Sequence, residues 1–151
     1  MINNTFISSF EDDLYLFTEA SSTCHLLLVN NVFAGPSRRF LERNGQGTIT
    51  GSHNWFPTGT AVPDTLTDST FGDDPGFVDL KAHDFHLRPD SPLINAGLAA
   101  PEYLGESGQP VAVIPEYEPT RESAWPGLAA PTKRARCGPL DIGAFEHVFT
   151  E

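Results

Sequence analysis

Two histidines, His25 and His53, and the arginine pair Arg38-Arg39 are the side chains of this 151-residue chain whose chemistry most invites a site. An imidazole exchanges protons near neutral pH. A guanidinium meets a carboxylate through a planar fork of donors. Trp55 and Trp125 offer flat apolar faces on which a sugar ring could stack, although a tryptophan serves more often in a core. Asp68, Asp73, Asp74 and Asp79 supply clustered oxygen ligands of the kind Ca²⁺ takes, but not at the spacing of an EF-hand loop. Asp73-Asp74-Pro75 also reads simply as the start of a turn. Glu11-Asp12-Asp13 reads as a solvated loop, and Lys133-Arg134-Ala135-Arg136 is the one basic run. Arginines on turns and histidines on a surface are usually just solvated, so no catalytic residue is assigned and no cofactor is expected, with Ca²⁺ the sole candidate.

Composition narrows the partners. Twenty acidic residues against nine basic ones leave a formal charge of -11, which repels a phosphate backbone and an anionic membrane surface. No run of 18 apolar residues is present to span a bilayer, and Met1-Ile2-Asn3-Asn4 lacks the basic and apolar stretches of a signal peptide. Cys24 and Cys137 can form one disulfide or remain two thiols, and no CxxC, HExxH or Cys/His cluster suggests zinc. Gly and Pro number 13 each, a share that favours strands and turns over helices.

The elements that must position any site repeat along the chain. Ile2-Asn3-Asn4-Thr5-Phe6, Val29-Asn30-Asn31-Val32-Phe33 and Ser52-His53-Asn54-Trp55-Phe56 share an Asn followed two residues later by Phe, and Gly76-Phe77-Val78-Asp79 reads as a fainter fourth copy. Steps of 20-odd residues are too short for a βαβ unit and suit one coil of a solenoid. Leu26-Leu27-Leu28-Val29 is the continuous apolar run of a buried parallel strand, and Thr48-Ile49-Thr50 is a short β-branched piece. The expectation is an all-β chain, a short right-handed parallel β-helix of three to four coils with a C-terminal capping region. Asn4, Asn31 and Asn54 would form a stacked amide ladder, and Phe6, Phe33 and Phe56 an aromatic stack. Residues 1–70 hold the coils. Residues 71–151 hold the last coil, the cap and a long Pro- and Ala-rich loop of the same domain.

The second half carries three further pieces in order: Asp74-Pro75-Gly76-Phe77-Val78, then Phe85-His86-Leu87-Arg88-Pro89-Asp90-Ser91-Pro92-Leu93-Ile94-Asn95-Ala96-Gly97, then Asp141-Ile142-Gly143-Ala144-Phe145-Glu146. Together they resemble the end of bacterial right-handed parallel β-helix proteins of the pectate-lyase-like superfamily. The extracellular "choice-of-anchor" group in particular commonly ends in DPxFV, FxLxxxSPxIxAG and DIGAxE. Phe85, Leu87, Leu93, Ile94, Ile142 and Phe145 are the natural lid over the last coil, whose apolar cross-section and strand edge need covering. Family chains are usually longer, and the connection over residues 98–136, with a candidate strand over 109–115, is long; part of it should pack on the coils.

The resemblance implies an extracellular or cell-surface β-helix with carbohydrate chemistry. The leading expectation is a structural or carbohydrate- and surface-binding piece without catalysis. The alternative is a polysaccharide lyase or glycoside hydrolase acting on an acidic polysaccharide, with His25, Arg38, Arg39, His53 and Trp55 as the substrate-binding candidates. Because the chain opens inside a coil at Met1-Ile2-Asn3-Asn4-Thr5-Phe6, it reads as a fragment or a short member, and a homodimer or small closed oligomer joined through that N-terminal coil is expected, the alternative being a monomer in which residues 10–18 or part of 98–136 fold back over that end.

Overall fold

The structure, a computed structural model, describes residues 1–8, 23–39, 46–118, 132–135 and 138–149. Glu11-Asp12-Asp13, Trp125 and Cys137 lie outside the described residues. The described chain is all-β, with no helix.

Seven short strands make two parallel sheets. β1 (Thr5–Ile7), β3 (Val32–Ala34), β5 (Trp55–Pro57) and β7 (Thr70–Gly72) form one, in that order; β2 (His25–Val29), β4 (Thr48–Ser52) and β6 (Leu66–Thr67) form the other. Successive strands alternate between the sheets. Only two residues separate β2 from β3 (Asn30-Asn31), β4 from β5 (His53-Asn54) and β6 from β7 (Asp68-Ser69). Asn3-Asn4 stands in the same place before β1, where Ile2 bridges to Val29 at the edge of the second sheet.

The two residues of each corner have different tasks. The first takes the left-handed backbone that turns the chain sharply: φ is 54° at Asn3, 56° at Asn30, 55° at His53 and 50° at Asp68. Asparagine and aspartate tolerate that region better than most residues because their short polar side chains bond locally. The second residue of the first three corners is the repeated asparagine. Asn31 Oδ1 accepts from both the backbone N–H (3.0 Å) and Nδ2 (3.1 Å) of Asn4. Asn54 Oδ1 accepts the same pair from Asn31, each at 3.0 Å. Their Nδ2 groups reach back to backbone carbonyls, Asn31 to Met1 and Asn54 to Leu28. Asn31 and Asn54 are fully buried, so the amides replace the water that these corners exclude.

Strand alternation then makes two apolar layers. Phe33, Phe56, Leu26, Leu28, Ile49 and Leu66 fill the space between the sheets, with Phe6 and Val62 packed against them. The rings stack in register. Phe6 and Phe33 are 5.0 Å apart, Phe33 and Phe56 are 4.8 Å apart with parallel planes, and Phe56 and Phe71 are 5.9 Å apart. The fourth rung is therefore Phe71, opposite Phe56 across the β5–β7 pairing. Phe77, the sequence candidate for that rung, lies instead in β8 (Phe77–Asp79), antiparallel to β9 (Asp84–Leu87). Asp68-Ser69-Thr70-Phe71 escapes an Asn-x-Phe search because serine replaces the asparagine and the step from Phe56 shortens to 15 residues.

Neighbours of the phenylalanines point the other way. Val32, Ala34 and Trp55 face outward from the first sheet, and Phe77, Leu87, Leu93 and Ile142 bury them. This corrects the expected lid. The C-terminal segment covers the flank of the first sheet, because that flank is itself apolar, and not the end of the stack. Phe71, the last ring of the stack, stays 45% exposed.

Polar clasps seat this cover. Gly143 N–H donates to Asn30 C=O at 2.8 Å, and Asn3 Nδ2 donates to the carbonyls of Asp141 (3.0 Å) and Gly143 (3.3 Å). Asn30 exchanges bonds with the backbone of Leu98. Asp141 Oδ1 accepts from Asn95 N–H, and Glu146 pairs with buried Arg134 at 2.6 Å. Burial pushes the Glu146 carboxyl above the usual range, against the pull of Arg134.

The connection over 98–118 holds a hairpin, β10 (Glu102–Leu104) with β11 (Pro110–Ala112). The strand expected over 109–115 is thus present as a shorter antiparallel one. β12 (Tyr117–Glu118) pairs with β13 (Thr132–Lys133).

Replacing Asn31 by Ala removes an acceptor and a donor from a buried site and should cost about 1–3 kcal/mol. Asn4→Ala, at the half-buried end of the ladder, should cost measurably less. Urea midpoints for the two variants check the order, and equal losses would count against a directional ladder. At Gly143, φ is 105° and a Cβ would sit 2.9 Å from Val32 Cγ2 and 3.0 Å from Thr5 Oγ1. Gly143→Val should therefore unseat the cover and wet Trp55. In a Trp125→Phe background the emission maximum should move to the red, and an unchanged spectrum would contradict the packing.

Candidate ligand groove

The second sheet turns its other face away from the core. In β2 and β4, Leu26, Leu28 and Ile49 point into the core, so His25, Leu27, Thr48 and Thr50 point away from it. The parallel register sets His25 opposite Thr48 and Leu27 opposite Thr50, and His25 Nδ1 is hydrogen-bonded to Thr48 Oγ1. The β10–β11 hairpin stands over this face. Between them lies a cavity of about 500 Å³ lined by His25, Leu27, Thr50, Glu102, Tyr103 and Leu104. A second one of about 470 Å³ shares His25, Leu27 and Tyr103 and extends to Ile2 and Val113. The two make one groove across β2. Tyr103 is 45% exposed, an aromatic face open to solvent with a carboxylate, an imidazole and a hydroxyl around it.

Of the five substrate-binding candidates read from the sequence, only His25 lines this groove. His53 follows the last residue of β4, in the corner at the other end of the strands, about 16 Å along from the His25 position at ~3.3 Å per residue. Its Nδ1 is buried there. Arg38 follows β3 of the other sheet, where Nη1 donates to the carbonyls of Gly35, Pro36 and Ser37. Arg39 is exposed beside it, its backbone N–H bonded to Ser37 Oγ. Trp55 is 1% exposed in the outer apolar layer and presents no face to a sugar. His25, Arg38 and His53 do not share one groove: they lie on the outer face of β2, on the turn after β3 and in the β4–β5 corner.

Glu102 and Tyr103 were not singled out by sequence reasoning. Their one signal was the length of the connection over 98–136, which implied that part of it packs on the preceding strands.

The acidic residues named for Ca²⁺ do not gather. Asp74 Oδ2 holds Arg88 Nη2 at 2.7 Å while Oδ1 accepts Gly76 N–H. Asp79 Oδ1 accepts the N–H groups of Lys81 and Ala82. Asp68 is a corner residue. Among the described residues no three His, Cys, Asp or Glu side chains group around a metal-sized site. Cys24 is half-buried and carries a free thiol. No helix among the described residues is long and apolar enough to cross a membrane. Comparison with protein-family models, curated proteins and solved structures finds no match to this chain.

The hydrogen bond from Arg88, with that of Gly76, holds the Asp74 carboxyl below its ordinary value of 3.8. A carboxyl depressed by folding stabilises the fold fully above its unfolded pKa and loses that contribution as pH falls through the folded one. The pair is solvent-exposed, so the effect is small. Asp74→Asn should lower the urea midpoint slightly at pH 7, and the gap from the parent should close below pH 3.8. A gap that widens on acidification would contradict this role.

Proposed function

We propose that this chain is a binding module of the right-handed parallel β-helix type, and that it takes an oligosaccharide in the groove between β2–β4 and the β10–β11 hairpin without catalysing its cleavage. The observation that carries the reading is the half-exposed Tyr103 ring set over a concave strand face edged by polar groups. Sugar rings carry apolar C–H faces and a rim of hydroxyls. They suit a site that offers one aromatic surface and a few convergent donors and acceptors. His25, Thr50 and Glu102 supply the latter. Pairs of strands joined by sharp corners, each pair stacking on the last in parallel, support the β-helix form. The ordered C-terminal motifs support the resemblance to the pectate-lyase-like superfamily, and with it an extracellular setting.

Cleavage would need a base and a partner acid or cation held together over a bond. His25, Arg38, Arg39, His53 and Trp55 are dispersed, and no observation favours an enzymatic reading. The test is direct binding of a panel of neutral and charged oligosaccharides by calorimetry. Tyr103→Ala should weaken any bound sugar about three- to tenfold, the loss of one stacking face. Binding indifferent to Tyr103 would remove the groove from consideration. Release of unsaturated or reducing ends from a polysaccharide would overturn the non-catalytic part of the reading.

A further inference from the structure

We infer that the groove discriminates by charge, accepting neutral and amino-substituted glycans and rejecting uronates. This rests on reading the groove as a sugar site, and it departs from the acidic substrates that the family resemblance implies.

Among the described residues, the lining of the larger cavity holds one acidic side chain, Glu102, and neither lysine nor arginine. The imidazole of His25 is engaged with Thr48 through Nδ1, which leaves Nε2 for a sugar hydroxyl. Three of the described arginines are engaged away from the groove. Arg38 is folded onto three carbonyls of its own turn. Arg88 lies between Asp74 and Asp90, and Arg134 is buried against Glu146. In the adjoining cavity the Met1 ammonium donates to the Leu27 carbonyl, and burial lowers its pKa. A formal charge of -11 adds a field that repels any polyanion approaching the face. A carboxylated sugar would thus bring its charge against Glu102 with no described lysine or arginine in the lining to answer it, whereas an ammonium on the sugar would find a partner there.

Three trimers of similar size separate the cases: a neutral glucose trimer, a glucosamine trimer and a galacturonic acid trimer, each titrated into the whole chain at low and at physiological salt. The neutral and glucosamine trimers should bind. The galacturonate trimer should be weaker than the neutral one by about tenfold at low salt, with the gap narrowing as salt rises. Glu102→Gln should lower the ratio of glucosamine to neutral affinity and raise that of galacturonate to neutral, each by roughly three- to tenfold. Galacturonate binding as tight as the neutral trimer, or ratios that Glu102→Gln leaves unmoved, would overturn the charge rule while leaving the sugar groove standing. Failure of all three trimers to bind would overturn the groove reading itself, and this inference with it.

Discussion

A buried asparagine must find partners for both halves of its amide, and in this protein each finds them one rung away. The Oδ1 atoms of Asn31 and Asn54 each accept two bonds from the preceding asparagine, one from its backbone and one from its side chain. Those bonds run beside the parallel strand pairings and share their spacing. The phenylalanine two residues on is carried into register by the same constraint, which is why Phe33 and Phe56 stack with parallel planes.

A sharp corner at every rung has a cost that its first residue carries. Left-handed backbone is found at Asn3, Asn30, His53 and Asp68, a region that asparagine and aspartate tolerate better than most residues. At Asn3 and Asn30 the same side chains also grip the C-terminal segment, through Asp141, Gly143 and Leu98. The corner thus serves the sheets on one side and the cover on the other. Among the described residues the second sheet has no such cover over β2 and β4. The hairpin from Glu102 to Ala112 stands off it, and the space between them is the groove.

Much of this was legible in residue spacing. The asparagine and phenylalanine columns could be read from Asn-x-Phe, because an interaction that repeats at every rung demands the same residue types each time. The C-terminal hydrophobics could be recognised as cover, but not which surface they cover: Val32 and Trp55 flank the phenylalanines in sequence, and only strand alternation shows that they need burying on the opposite side. The first corner residue was passed over because asparagine, histidine and aspartate look unrelated until their backbone is seen. The groove was least legible. It joins β2 to a hairpin more than seventy residues later, and no local pattern ties His25 to Tyr103.

Four aromatic rings stand in one column although the chain travels 27, then 23, then 15 residues between successive members. What is held constant is the two-residue corner and the three-residue strand after it, and the path between one strand and the next corner carries no fixed count. Such an architecture has a clock that ticks at corners and ignores elapsed chain. Insertions and deletions between Ala34 and Thr48, or between Pro57 and Leu66, change the girth of one rung without disturbing the next. Lineages built this way drift out of periodicity while keeping their shape, and a search that looks for equal intervals passes them by.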